Sequence, residues 1–210
     1  RSLDWKEHIR MRPGMYIGGT DQQAMHHLVA EVLDNSMDEA VAGHANRIEL
    51  HLTKNQTVIV TDNGRGIPVD PHPKFKNKSA LEVILTTLHA GGKFSDNVYS
   101  TSGGLHGVGI SVVNALSDNL TVEIARDQRL FSQQFSQGAT CNSLVDEGPV
   151  RNRRGTKICF HPDPEIFGKN LKFKPSTLYQ MAKSKAYLFR GVEIRWSCDC
   201  LLYTSPSSRD

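Results

Sequence analysis

Glu31-Val32-Leu33-Asp34-Asn35-Ser36-Met37-Asp38-Glu39-Ala40 decides the architecture, because its periods can be read in both directions. Val29, Val32, Leu33, Met37 and Ala40 share one face at the helical period, which predicts a helix from about Met25 to Ala42. Gly43 is its C′ stop. The period then changes to two. Ile48, Leu50 and Leu52 alternate with polar residues, Lys54-Asn55-Gln56 turns the chain, and Val58-Ile59-Val60 returns, so a hairpin follows the helix. It ends in Asp62-Asn63-Gly64-Arg65-Gly66-Ile67-Pro68, where two glycines and a proline forbid regular structure.

Farther out, Arg12-Pro13-Gly14-Met15-Tyr16-Ile17-Gly18-Gly19 has the composition of a turn-rich loop. Downstream, Ser79 and Glu82 form a capping-box pattern, and Leu81, Ile84, Leu85 and Leu88 form the stripe of a second helix that Gly91-Gly92 would end. A glycine segment from Gly103 to Gly109 leads into a short helix through Leu116. Strands are predicted near 120–125, 130–135 and 156–160, a last helix over 176–189, and a closing strand at Val192–Trp196. Helices mixed with hairpins imply an α+β fold: a two-layer sandwich of helices on a mixed, mostly antiparallel sheet, not a doubly wound parallel one.

Bulk properties narrow the class. The chain has 210 residues, 38% hydrophobic, with a net charge of +3, too small by itself to argue for nucleic-acid binding. No apolar run approaches the roughly 20 residues of a membrane span. Cys141, Cys159, Cys198 and Cys200 show no paired metal spacing, so a reducing, cytoplasmic setting is the simplest expectation. The tail from Leu201 to Ser208 has the composition of polar filler, which places the expected domain at 1–197 and a non-native-looking or disordered tail at 198–210.

Three segments suggest chemistry, each beside a plainer reading. Glu31, Asp34, Asn35, Asp38 and Glu39 crowd one side of the first helix with no lysine or arginine between Ala30 and Ala42. Such a face is either simply solvated or a set of oxygen ligands for a hard cation such as Mg²⁺. His27, one turn before Glu31, is placed to orient or tune that carboxylate. Ser102-Gly103-Gly104-Leu105-His106-Gly107-Val108-Gly109 is either a flexible loop or a phosphate cradle opening a helix; no Gly-Lys-Ser/Thr follows, so it is not a Walker A loop. Asp62 is either a turn aspartate bonding its own backbone or a carboxylate that accepts from an exocyclic amine.

Taken in order, the Glu31–Ala40 helix, Asp62–Pro68, Leu88-His89-Ala90-Gly91-Gly92-Lys93-Phe94, Ser102–Gly109 and Gly155-Thr156 resemble the motif set of the GHKL ATPase superfamily, and within it the type IIA topoisomerase branch. The resemblance covers nearly all of residues 3 to 197. Arg12 to Gly18 and Gly103 to Leu116 carry the branch. Val69 to Phe75 and Asn152 to Lys157 look more like topoisomerase IV than gyrase. The resemblance implies ATP and Mg²⁺ as cofactors, with Glu31 as general base and Asn35 as metal ligand; His27 joins Glu31 as a candidate catalytic residue and Asp38 joins Asn35 as a candidate cofactor-binding one. It implies that Asp62 accepts from the adenine amine with Thr156 in support, and that Gly66 and Ile67 let the nucleotide approach the backbone. Gly103, Gly104, Leu105, His106, Gly107, Val108 and Gly109 would wrap the phosphates. Lys93 and Tyr99 would belong to an ATP lid, and Arg65, Pro68 and Arg126 to a pocket rim.

The same resemblance implies further parts and partners. A transducer domain carrying a lysine, and an N-terminal arm that clasps the partner subunit, are expected outside this stretch. The partners implied are DNA through the full-length enzyme, an A-type subunit, and a homodimer of B-type subunits, with no membrane. Sensor histidine kinases usually lack a carboxylate placed like Glu31, and chaperone and mismatch-repair relatives differ in the Ser102–Gly109 phrase. The rival from another class is a nucleotide-gated dimer clamp with negligible intrinsic turnover.

Overall fold

The computed structural model describes residues 4–75, 77–88 and 108–200. Its elements run α1 (Trp5–Met11), α2 (Gly14–Ile17), α3 (Gln22–Val41), β1 (Arg47–Leu52), β2 (Val58–Asp62), α4 (Ala80–Thr86), α5 (Ile110–Ala115), β3 (Ser117–Arg126), β4 (Arg129–Ser136), β5 (Ala139–Thr140), β6 (Val145–Pro149), β7 (Gly155–Pro162), α6 (Pro164–Phe167), α7 (Pro175–Leu188) and β8 (Glu193–Cys198). The strands form one eight-stranded sheet in the order β5-β4-β3-β7-β2-β1-β8, with β6 paired to β4. Among the described residues, only β1 and β8 pair in parallel. The fold is therefore the expected α+β sandwich.

One face of the sheet makes the core. Ile48, Leu50 and Leu52 of β1, Val58 and Val60 of β2, Leu120, Val122 and Ile124 of β3, and Phe160 of β7 are all essentially fully buried, against Leu28, Val29, Val32 and Leu33 of α3. Period-two alternation then turns Arg47, Glu49 and Thr61 to the opposite face, away from α3. The Asp21 side chain caps α3 by accepting from the Ala24 N–H, and Gly43, at φ +84°, ends it.

Several sequence expectations need correction. The turn-rich loop at 12–19 contains the single helical turn α2, closed by Gly18 in the left-handed region. Ser79 does cap α4, accepting from the Glu82 N–H at 3.1 Å, but the helix stops at Thr86, so Leu88 packs on the core from outside it. The Thr86 hydroxyl donates to the Glu82 carbonyl and Thr87 is extended, as suits a β-branched pair at a helix end. Cys198 and Cys200, which show no paired metal spacing in the sequence, are bonded to each other; residues two apart on extended chain project to one side. Cys141 and Cys159 are free. Gly91-Gly92 and the tail from Leu201 lie outside the described residues.

Candidate functional site

α3 carries the polar side chains that choose between the two readings of its acidic face. Glu31 is 6% exposed, Asn35 4% and Glu39 3%, so this is not a solvated face. Nor is it a cage of carboxylates: among the described residues no three His, Cys, Asp or Glu side chains group to hold a metal. Several of the charges are met from elsewhere in the chain. Arg65 closes on Glu39 at 2.7 Å and gives it a backbone N–H at 2.9 Å; Lys185 of α7 reaches Asp34 at 3.0 Å. Burial pushes Glu39 up, but the bonds and charge of Arg65 outweigh it and hold its carboxyl below the ordinary range.

Glu31 is held from the start of α5. The Gly109 N–H donates to one of its carboxylate oxygens at 3.2 Å and the Val108 N–H to the other at 3.4 Å. His27 Nε2 lies 3.5 Å away. Burial raises the Glu31 pKa against these donors, the direction that suits a proton acceptor working near neutral pH. One turn on, Asn35 is the odd member: neither Oδ1 nor Nδ2 has a hydrogen-bond partner among the described residues, although both are buried. An uncompensated buried amide costs roughly 1–3 kcal/mol. Its oxygen suits a hard cation's donor set, so the residues present fit a magnesium ion. Asp38 lies one turn further, half-buried.

The other half of the site is built on β2 and β7. Asp62 ends β2 at 3% exposure and accepts from the Ser36 hydroxyl at 2.8 Å, the Gly64 N–H at 2.9 Å and the Thr156 N–H at 3.4 Å. Burial outweighs these donors and pushes its pKa up to about 6. The Thr156 hydroxyl accepts from the Ile67 N–H at 3.0 Å, tying the loop after β2 to β7. Close approach fixes two glycines. A Cβ on Gly155, at φ +123°, would fall 1.9 Å from the Asp62 carbonyl oxygen, and one on Gly66, at φ +83°, 2.9 Å from Ile124 Cγ2. Arg126 donates to the Gly66 and Arg65 carbonyls, at 2.9 and 3.3 Å, so it braces the loop. Ile67 and Pro68 are buried.

Glu31, His27, Asn35, Asp62, Gly66, Ile67, Pro68, Arg65, Arg126, Thr156, Val108 and Gly109 thus all belong to α3, β2, β3, β7, the start of α5 and the loop after β2. The contacts run from Gly109 through Glu31, along α3 to Ser36, and from Ser36 to Asp62 and Thr156. Lys93, Tyr99, Gly103, Gly104, Leu105, His106 and Gly107 lie outside the described residues. Ser36 is a member that sequence reasoning does not single out. Its signal is a hydroxyl next to the Val29, Val32, Ala40 stripe, buried where an apolar side chain would be expected.

Residues 20–166 match the family described as histidine kinase-, DNA gyrase B- and HSP90-like ATPases. The chain is 59% identical over 199 residues to the B-type subunit of DNA topoisomerase 4 from Bartonella bacilliformis, covering 95% of this chain and 29% of that protein. It is 50% identical to the B-type subunit of DNA gyrase from Thermus thermophilus, covering 92% of this chain and 30% of that protein. The crystal structure of the 43K ATPase domain of Thermus thermophilus gyrase B in complex with an aminocoumarin superposes with a TM-score of 0.81 at 42% identity, covering 92% of this chain and 48% of that one. The chain thus spans under a third of the length of these curated relatives.

Proposed function

This chain belongs to the family of histidine kinase-, DNA gyrase B- and HSP90-like ATPases, and from that membership we propose that it binds ATP between α3 and the β2–β7 edge and hydrolyses it to drive strand passage in a type IIA topoisomerase, of the topoisomerase IV kind. Residues 1–197 are then its ATP-binding domain, and DNA, an A-type subunit and a second B-type subunit are partners of the longer protein. The observation that carries the reading is Asn35: a buried amide with both polar atoms unpartnered among the described residues, one turn past Glu31 and next to the serine that holds Asp62.

Each residue has a role that its surroundings support. Asp62 accepts from the adenine amine, its remaining lone pairs already directed by Ser36, Gly64 and Thr156. Gly66 keeps the backbone open to the base. Asn35 Oδ1 would hold the magnesium ion, which supplies neutralisation of charge on the phosphate oxygens. Glu31 takes a proton from water as its oxygen bonds to the γ-phosphorus and the bond from that phosphorus to the β–γ bridging oxygen breaks, leaving ADP and phosphate. His27 orients Glu31. Lys93, Tyr99 and the Gly103–Gly107 run complete the phosphate wrap on this reading. The bonds from Val108 and Gly109 to Glu31 favour slow turnover in the chain alone, since the base already accepts two N–H groups.

Calorimetry with a non-hydrolysable ATP analogue and Mg²⁺ tests this. Binding is expected for the parent and for Glu31→Ala, and Asn35→Ala should lose the part of the affinity that depends on Mg²⁺. No heat and no thermal shift with the parent chain would overturn the proposal.

A further inference from the structure

The sheet face opposite α3 carries a cluster of arginines that the nucleotide reading gives no role. Arg47 at the start of β1 and Arg151, Arg153 and Arg154 in the β6–β7 loop line one cavity of about 690 Å³, whose acids are half-buried Glu49 and buried Asp62. All four arginines are exposed. Arg153 faces Glu123 at 3.4 Å, and Glu49 is engaged by Arg195 at 3.5 Å. Arg47, Arg151 and Arg154 therefore keep no ion-pair partner among the described residues.

Three uncompensated guanidinium groups around one hollow repel each other, and a planar fork of donors is matched by phosphate oxygens. Neutral donors flank them: Asn152 and Gln128 at the rim and Thr61 on β2. Arginine with amide and hydroxyl side chains is the donor set that contacts a sugar–phosphate backbone. Among the described residues no aromatic side chain lines the cavity, so they offer no platform for an unstacked base. The exposed loop suits an extended polyanion better than an enclosed small one.

We propose that this arginine cavity is a DNA-binding site of its own, taking the backbone phosphates of a duplex on the sheet face opposite α3. The choice of DNA as the polyanion rests on the topoisomerase reading; the phosphate chemistry does not. Asp62 and Thr156 also line the cavity, so a duplex seated there would lie against the strands that carry the adenine contacts.

The test is fluorescence anisotropy of a labelled duplex across a salt series, with the parent chain, with Arg47→Ala, Arg151→Ala and Arg154→Ala combined, and with a control of equal charge loss, Lys54→Ala, Lys169→Ala and Lys172→Ala. The arginine variant should bind at least about tenfold more weakly at low salt, with the slope of log affinity against log salt reduced by about 2–3, while the lysine control follows the parent. An arginine variant that binds like the parent, or a lysine control that loses as much, overturns the site. So does inorganic phosphate perturbing the arginine resonances while duplex affinity is indifferent to the three substitutions. Calorimetry with the ATP analogue on the same samples reports folding and the nucleotide reading independently, so failure of either proposal is visible without the other.

Discussion

On the proposed reading, Asp62 is a side chain that trades stability for recognition. A carboxylate at 3% exposure with a pKa near 6 is costly to ionise, and three donors do not fully repay the burial. Its folded value lies above the ordinary one, so the contribution to stability is fully present below the unfolded value near 4 and is lost as pH rises through about 6. At neutral pH the ionised form works against the fold by up to about 3 kcal/mol. Asp62→Asn is therefore expected to raise the unfolding midpoint at pH 8 and to change it little at pH 4, measured by urea titration at the two values. The same substitution should weaken binding of the ATP analogue by about 1.5–3 kcal/mol at pH 8, through loss of a charge-assisted hydrogen bond. Parent affinity should itself fall as pH drops through 6. A parent profile flat from pH 8 to 5 would remove Asp62 as the charged acceptor. Glu39 has the opposite sign: Arg65 holds it ionised, and that contribution is lost only on acidification.

Elements differ in how plainly the sequence announces them, and the reasons are physical. α3 and the β1–β2 hairpin are legible because each packs an apolar face on the core and so carries a clean period; that α3 also buries Glu31, Asn35 and Glu39 leaves no such signal. Gly43 marks the end of α3 and a serine cap the start of α4. β5 and β6 are not legible, since both lie at the exposed side of the sheet, and β6 reads Val145-Asp146-Glu147-Gly148-Pro149 with no buried face to impose alternation. The compensation of the acidic helix is equally hidden, because Arg65 and Lys185 lie far along the chain from Glu39 and Asp34. The Gly155-Thr156 start of β7 is readable as a motif, but its reason is tertiary: β7 crosses so close to Asp62 that no Cβ fits. Gly155→Ala should force β7 from β2, costing at least about 2 kcal/mol in urea unfolding and weakening nucleotide binding with it. A stability equal to the parent would mean that the β2–β7 edge yields, and that Asp62 is held less firmly than its bonds imply.

Across the whole molecule, the polar contacts join segments that are distant in sequence. Ser36 binds α3 to β2, Thr156 binds β7 to the loop after β2, and Gly109 binds the start of α5 to Glu31. Asp163, 1% exposed, accepts from Arg10 at 2.8 Å and from Gln137, tying α1 to the end of β7 and to the β4–β5 turn. A ligand that touched α3, β2 and the start of α5 together would therefore brace the helix layer against the sheet, and its binding energy would appear as stability of the entire domain. At an ATP analogue concentration about one hundred times its dissociation constant, with Mg²⁺, the native state gains about 2.7 kcal/mol. For a chain of this size that is a rise of roughly 5–10 °C in Tm. Scanning calorimetry should show a single transition moved upward as a unit, and chelation of Mg²⁺ should remove most of the shift from the parent while changing Asn35→Ala little. A transition that splits, with one part insensitive to the analogue, would show that the nucleotide braces only one layer, and the chain of contacts from Gly109 to Thr156 would not be the path by which the site holds the fold together.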